Sequence, residues 1–370
     1  CPGPVRSSTR AARAAAQLSA PAPGSGRVRA PRGSGAAGPG AEHGNPRPPG
    51  GHLRKTGGMG NKGVMVFVPA PQLTVTIEQQ NEKPELHVHP GGQGVWQARM
   101  ITLLGAQVTL CAAAGGEVGR VLEPLLKFHG VTLKTIKRES GTGWYVHDRR
   151  SGKRQELAED PGQPLSRHEM DELYSLALAE GLRAGIAVLS GPAHPSVVPA
   201  SVYRRLATDL GANGCKVIVD LSADHLAAAL EARPHVVKVS HEELIRDGMV
   251  RDGSTEALTE ALHKLHADGA EMALVSRADE GALALIEDRV YEVDMPRMVA
   301  AESRGAGDSM TAGVAAVLAQ GGSLCDAVRT GAAAGALNVT RHGLGTGRID
   351  AVQVLTERVR LTPVDAKVPA

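Results

Sequence analysis

The sequence predicts an α/β protein built on a doubly wound, mostly parallel sheet flanked by helices, with a small β lid. Residues 186–189, 217–220, 236–239 and 272–275 are short, near-continuous apolar runs, the texture of strands covered on both faces of a parallel sheet. Helical periodicities fill the intervals, and such alternation builds right-handed crossovers whose ligands bind beyond the carboxyl ends of the strands. Residues 132–156 break the pattern. There Trp144-Tyr145-Val146-His147 and the basic turn Arg149-Arg150-Ser151-Gly152-Lys153-Arg154 predict an antiparallel hairpin lying over the sheet end.

Residues 64–68 and 73–77 read as the first strands, interrupted by Pro69-Ala70-Pro71 because proline lacks the ladder donor. The helix expected from Ser166 starts with a capping box, Ser166 with Glu169, and shows Met170, Leu173, Tyr174, Ala177 and Leu178 on one face. Another begins near Ser254 and repeats Leu258, Ala261, Leu262 and Leu265. A third follows Asp308, carries Met310, Val314, Val317 and Leu318, and stops at Gly321-Gly322.

Of the 370 residues, the first sixty differ in kind from the rest, with 22 Gly plus Pro, nine basic residues and one acid, Glu42. So few large aliphatic side chains cannot offset the entropy of ordering, which predicts a disordered Pro/Gly/Arg-rich extension over 1–60. The chain opens with Cys1, and an extension upstream of a start at Met59 or Met65 is preferred to a basic arm or transit peptide. Residues 61–370 are expected to form one folded domain, its lid hairpin at about 132–156. Charge is nearly balanced, 41 Lys+Arg against 39 Asp+Glu, and aromatic residues make up 2%. Neither a general basic footprint for nucleic acid nor a base-stacking surface is expected. Cys1, Cys111, Cys215 and Cys325 form no CxxC pair, which argues against a zinc site or disulfide framework and for a reducing, cytoplasmic setting. No apolar run reaches the roughly 18–20 residues that span a bilayer.

Chemistry concentrates in two glycine loops. Gly305-Ala306-Gly307-Asp308 precedes a helix; glycines let backbone N–H groups converge there, and the helix start adds partial positive charge, so an anion can be held. Beside such a hole, a carboxylate can take the proton of an attacking alcohol during phosphoryl transfer, and an ordinary Asp pKa suffices. The plain alternative is a glycine loop with Asp308 as helix cap. The second loop, Pro90-Gly91-Gly92-Gln93-Gly94-Val95-Trp96, lets backbone approach a polyhydroxylated ligand closely.

In this order and at this distance the two loops resemble the PfkB (ribokinase-like) carbohydrate kinases. Over about residues 64–358 further stretches agree, among them Gly115-Gly116-Glu117-Val118-Gly119, Ser190-Gly191-Pro192, Asp220-Leu221-Ser222 and Gly343-Leu344-Gly345. Several look most like the 1-phosphofructokinase and tagatose-6-phosphate kinase branch. The resemblance implies a ribokinase-like fold and ATP-dependent phosphorylation of a hydroxyl on a sugar or sugar phosphate. Asp308 would be the general base, and Gly305, Ala306 and Gly307 the anion hole. Gln72, Gly91, Gly92, Gln93, Gly94 and Trp96 would face the sugar. Ser240, Ser276, Arg277, Asp279, Gly281, Gly307, Gly343 and Gly345 would border ATP, and Glu243 would organise Mg2+. A monovalent cation (K+) near 343–345 and a homodimer joined through the lid are further implications, with no nucleic-acid or membrane partner.

The departures from that pattern cluster. Gln72 stands where the branch has a carboxylate, Gln93 where it has a lysine, Trp96 where it has an amide, and Gly141-Thr142 where it has a TR pair; on the nucleotide side Ser240 replaces Asn. Losses on the acceptor side beside an intact base predict unchanged transfer chemistry on a changed acceptor. Two other classes were weighed: a non-catalytic sugar or nucleotide sensor, which has no need of Asp308, and a nucleoside kinase, favoured by Trp96 alone. His87 and His89 share a strand face but lack a third metal ligand. Gly343-x-Gly345-x-Gly347 follows a helix rather than a strand, so a dinucleotide fingerprint fails, and Walker A and protein-kinase motifs are absent.

Overall fold

The apolar run Val64–Val68 is β1, buried at every position and interior to the main sheet, between β8 and β4. The computed structural model describes residues 62–81, 83–301, 304–341 and 343–364, so the extension expected over 1–60 lies outside the described residues. After the proline break come β2 (Gln72–Gln80) and β3 (Lys83–Gly91), an antiparallel pair, and α1 (Gln93–Leu103). β4 (Val108–Gly115) then pairs parallel to β1, and α2 (Gly116–Leu126) leads to β5 (Val131–Arg138), parallel to β4. After β6 (Thr142–Asp148) and β7 (Gln155–Gly162), α3 (Arg167–Ala184) returns the chain to β8 (Ile186–Ser190) on the other side of β1.

From there the sheet grows outward through α4 (Ala200–Ala212), β9 (Lys216–Asp220), α5 (Ala223–Leu230) and β10 (Val236–Ser240). The short α6 (His241–Arg246) and α7 (Thr255–Ala267) precede β11 (Met272–Ser276). Two antiparallel strands, β12 (Ala282–Ile286) and β13 (Arg289–Asp294), continue the sheet, which β14 (Arg360–Pro363) closes after α8 (Ala306–Ala319), α9 (Leu324–Asn338) and α10 (Ile349–Thr356). The ten-stranded order is β14-β13-β12-β11-β10-β9-β8-β1-β4-β5. This is the doubly wound, mostly parallel architecture that the alternating pattern predicts, with an antiparallel edge added.

Alternate strand residues feed two cores. Val64, Val66 and Val68 of β1 pack with α1, α8 and α9 on one face, while Met65 and Phe67 pack with α3, α4 and α7 on the other. Burying each such side chain contributes about 1.5–3 kcal/mol. The expected capping box closes as read: Glu169 N donates to Ser166 Oγ at 3.3 Å and Ser166 N to Glu169 Oε2 at 2.7 Å. Leu258, Ala261, Leu262 and Leu265 are all buried on α7. No helix of the described residues is long and apolar enough to cross a membrane.

The lid differs from its expected bounds. It is a four-stranded sheet in the order β3-β2-β6-β7, and its second hairpin is β6–β7, running to Gly162. β5 belongs to the main sheet. As an edge strand it alternates half-buried with exposed side chains, the same period-2 signal that a lid strand gives, which is why 132–138 reads as part of the hairpin.

Candidate active site

Strand register assembles the site. Val68, Ser190, Asp220 and Ser240 end β1, β8, β9 and β10 respectively, with Ser190 level with Asp220 and Ser276 level with Ser240. Because β4 lies on one side of β1 and β8 on the other, the connections diverge and leave a crevice at the carboxyl ends, where doubly wound sheets bind ligands. A cavity of about 270 Å³ opens there. Its floor and sides are Val68, Ala70, Gln72, the turn Gly92-Gln93-Gly94, Trp96, Gly191 and Arg304; Tyr145, Arg154, Glu156 and Glu159 of the lid sheet complete it.

The glycine turn is pressed onto the strand ends. A Cβ on Gly94 would lie 2.5 Å from Val68 Cγ2 and 2.7 Å from Ser190 Oγ, and Gly92 holds φ at 103°, which L side chains rarely adopt. Gly91, expected to face the sugar, is not a cavity residue; a Cβ there would collide with Thr74 Oγ1, so its smallness serves the β2–β3 pair. Gln72, Gln93 and Trp96 do border the cavity, and the Trp96 indole N–H is buried with no partner among the described residues.

At the other loop, Gly305 takes the left-handed φ of 72° and caps α8, so Asp308 falls in the first helical turn and is not the cap. The glycine at 307 makes room for Lys238, whose Nζ would sit 2.5 Å from a Cβ placed there. Lys238 is buried and paired with Asp220 Oδ1 at 3.3 Å. Asp220 Oδ2 accepts from Gln97 Nε2 at 2.8 Å and from Thr311 Oγ1 at 2.7 Å, and the Asp220 carbonyl accepts from Gln93 Nε2 at 3.2 Å. Gln97 Nε2 also lies 3.5 Å from Asp308 Oδ1, and Gln97 Oε1 accepts from Ser190 Oγ at 2.5 Å. The two loops therefore meet through a single buried polar network.

Burial, and then the neighbouring Asp220 carboxylate, push the Asp308 carboxyl up to about 8 despite the pull of Lys238. An ordinary Asp pKa would suffice for the proposed proton transfer; the fold raises it. A carboxyl titrating near neutral pH is a stronger proton acceptor once ionised. Burial works against the charge of Lys238, but Asp220, Glu243 and Asp308 outweigh it and hold the ammonium above the ordinary lysine value.

At the end of β10, Ser240 and Glu243, expected from the resemblance to border ATP and magnesium, form a capping box. Ser240 N and Oγ donate to Glu243 Oε2 at 2.8 and 2.9 Å, and Glu243 N donates to Ser240 Oγ at 3.2 Å. The spacing S-x-x-E carried that signal. Ser276 ends β11 beside them, whereas Arg277 is buried and occupied by Thr255 Oγ1, the Glu280 carbonyl and Glu292 Oε1, which fixes its own turn. Asp279 is exposed on that turn, and Gly281 is buried beneath it. Gly345 packs against the Trp96 carbonyl, while Gly343 lies near Thr346. Asn338, missed in the sequence, ties the loops together: its Nδ2 donates to the Arg304 carbonyl at 2.7 Å and its Oδ1 accepts from Gly345 N at 3.1 Å.

Gln97, Thr311 and Arg304 were missed as well. Gln97 had a readable sign, a polar residue on the buried, otherwise apolar face of α1. Lys238 had another, a charge inside the apolar run of β10.

Gly305, Ala306, Gly307 and Asp308 do not line the cavity, but hydrogen bonds through Gln97 and Asp220 link them to the turn that does, and with the doubly wound sheet and the small lid sheet these features are those of a ribokinase-like carbohydrate kinase. The chain belongs to the pfkB family of carbohydrate kinases, whose sequence pattern matches residues 66–351, from within β1 to within α10. It is 27% identical over 277 residues to the 1-phosphofructokinase of Bacillus subtilis, spanning 74% of this chain and 88% of that relative. To the ATP-dependent 6-phosphofructokinase isozyme 2 of Escherichia coli it is 31% identical over 265 residues, 69% of this chain and 82% of the relative. The crystal structure of phosphofructokinase-2 from Escherichia coli in complex with potassium superposes with a TM-score of 0.72 at 27% identity, covering 80% of this chain and 99% of that one.

Proposed function

We propose that this kinase transfers the terminal phosphoryl group of ATP to a hydroxyl of a sugar or sugar phosphate held in the cavity between the glycine turn and the lid. Asp308 takes the hydroxyl proton, and the backbone N–H groups of the 305–308 turn stabilise charge on the phosphoryl group in flight. The observation that carries this reading is the hydrogen-bonded network through Gln97 and Asp220, which joins the first turn of α8 to the turn lining the cavity. Gln93, in place of a lysine, grips the Asp220 carbonyl instead of presenting a cation, which supports an acceptor different from fructose 1-phosphate. Closing the lid over the acceptor excludes water and limits wasteful hydrolysis.

Among the described residues no group of three or more His, Cys, Asp or Glu is arranged to hold a metal ion alone. The donors at hand are carboxylate oxygens, which fits Mg2+, an ion that keeps water and is held by one or two carboxylates plus nucleotide phosphates. Glu243 would hold it, and the bound ion would neutralise phosphate charge. Ser240, Ser276 and the 343–345 loop are proposed to border the nucleotide, the last also a K+ site. Leu86, Val88 and Leu157, exposed on the lid strands, support a homodimer joined through that sheet. A screen of Mg-ATP consumption over sugars, sugar phosphates and nucleosides, with Asp308→Asn as control, tests the reading. At least one acceptor is expected to stimulate turnover well above the control, and a result in which none does favours a non-catalytic sensor.

A further inference from the structure

One side chain joins the glycine turn to the base although phosphoryl transfer as such does not call for it. Gln97 lies on α1 one turn beyond Gln93 and is fully buried. A buried primary amide is costly unless its hydrogen-bonding groups are matched. Here Oε1 is fixed by Ser190 Oγ at 2.5 Å, which determines the direction in which Nε2 points. Nε2 has two hydrogens and two carboxylates within reach, Asp220 Oδ2 at 2.8 Å and Asp308 Oδ1 at 3.5 Å. The charged groups facing Asp308 are Asp220 from β9, Lys238 from β10 and Glu243 from α6, and Gln97 from α1 is the neutral donor among them.

Resting on the kinase reading above, we propose that Gln97 is a positioning residue that holds one oxygen of Asp308 so that the other faces the acceptor, and that couples loading of the Gly92–Gly94 turn to the orientation of the base. The 3.5 Å separation is of the length usual for catalytic contacts before substrate binds, and it tightens when the turn closes on an acceptor. Gln93 strengthens the coupling, since it grips the Asp220 main chain from the same face of α1.

Gln97→Met keeps the length of the side chain and removes the donor. With Mg-ATP and fructose 6-phosphate, fructose 1-phosphate or fructose as probes, kcat is expected to fall about 10–100-fold, the scale of a misoriented base. The acceptor KM should stay within about threefold. The acidic limb of kcat/KM should move to higher pH, because the hydrogen bond that favours the ionised carboxylate is gone. Gln97→Glu should move it further, and Ser190→Ala, which releases Oε1 without touching a carboxylate, should move it less. A second arm needs no acceptor: 13C NMR of aspartate-labelled protein, with Asp308→Asn assigning the resonance, follows the Asp308 midpoint. A higher midpoint in Gln97→Met supports the proposal, and an unchanged midpoint or a loss confined to KM overturns it. Should Gln97→Met not fold, Ser190→Ala carries the same two readouts. If no probe is phosphorylated while the midpoint moves, the kinase reading has failed on these acceptors and the Gln97 contact stands.

Discussion

Two walls of the candidate site are built differently. On the transfer wall Asp220 is buried with a lysine, an amide and a hydroxyl on its carboxylate, all from strands and helices of the main sheet. On the acceptor wall, formed by α1 and the lid, Trp96 Nε1 borders the cavity and is buried with no partner among the described residues, and Glu156 and Glu159 are exposed. Satisfied buried networks fix geometry, whereas unmatched polar atoms beside a cavity are free for a ligand to match. Three of the departures from the family pattern, Gln72, Gln93 and Trp96, border the cavity on the second wall, whereas Ser240 lies elsewhere. The contrast fits the proposed division, in which the core of the fold holds the transfer chemistry and the more open wall sets the acceptor.

The sharpest way to break this comparison is at Asp308. Asp308→Asn is expected to lower acceptor-stimulated turnover about 10²- to 10⁴-fold, the range of a lost general base, while calorimetry shows ATP binding retained. The same variant tests the charge balance. Burial and Asp220 raise the Asp308 carboxyl to about 8, so the folded protein holds that proton more tightly than the unfolded chain does. The resulting stability is present below the ordinary carboxylate range and is lost as pH rises through about 8. Melting temperature should therefore fall between about pH 4 and pH 8 in the parent and fall less in Asp308→Asn, with the gap widest above pH 8.

Lys238→Met tests the rigidity of the transfer wall. It leaves Asp220 buried and uncompensated, and removing one partner of such a pair costs about 3–5 kcal/mol, measurable by urea unfolding. Adding Asp220→Asn should recover part of the loss. Equal stability of Lys238→Met and parent would mean that the pair does not organise this wall.

How much was legible follows the same division. The strands and α7 were readable because continuous apolar runs and helical faces are local signals, and the Asp308 turn was readable because glycine at a helix start has few uses. The network behind it was not, because Gln97, Asp220, Thr311 and Ser190 are far apart in the chain and meet only through strand register. Ser240 and Glu243 show the opposite case: their mutual cap is local and legible in the S-x-x-E spacing. β5 read as lid because an edge strand and a lid strand share one alternation.

Gly94→Ala probes the seam between the walls. Its Cβ would press on Val68 Cγ2 and Ser190 Oγ, and overpacking of this kind costs about 1–3 kcal/mol. Acceptor KM should rise with little change for ATP, since the strain falls on the turn and not on α8.

Trp96→Phe carries the smallest expected effect and the finest resolution. Phenylalanine keeps an aromatic ring beside the cavity and deletes the buried indole N–H that has no partner among the described residues. An unmatched buried donor contributes nothing favourable to the free protein, so its removal should leave stability unchanged or raise it by about 1 kcal/mol. If the N–H is satisfied by the acceptor, the bound state loses a hydrogen bond that the free state never had, and acceptor KM rises about 5- to 10-fold at constant ATP KM. Unchanged stability with raised acceptor KM would mark this N–H of the second wall as a ligand contact. Raised stability with unchanged KM would instead make it a defect of packing, and the division between a satisfied and an open wall would lose its functional meaning.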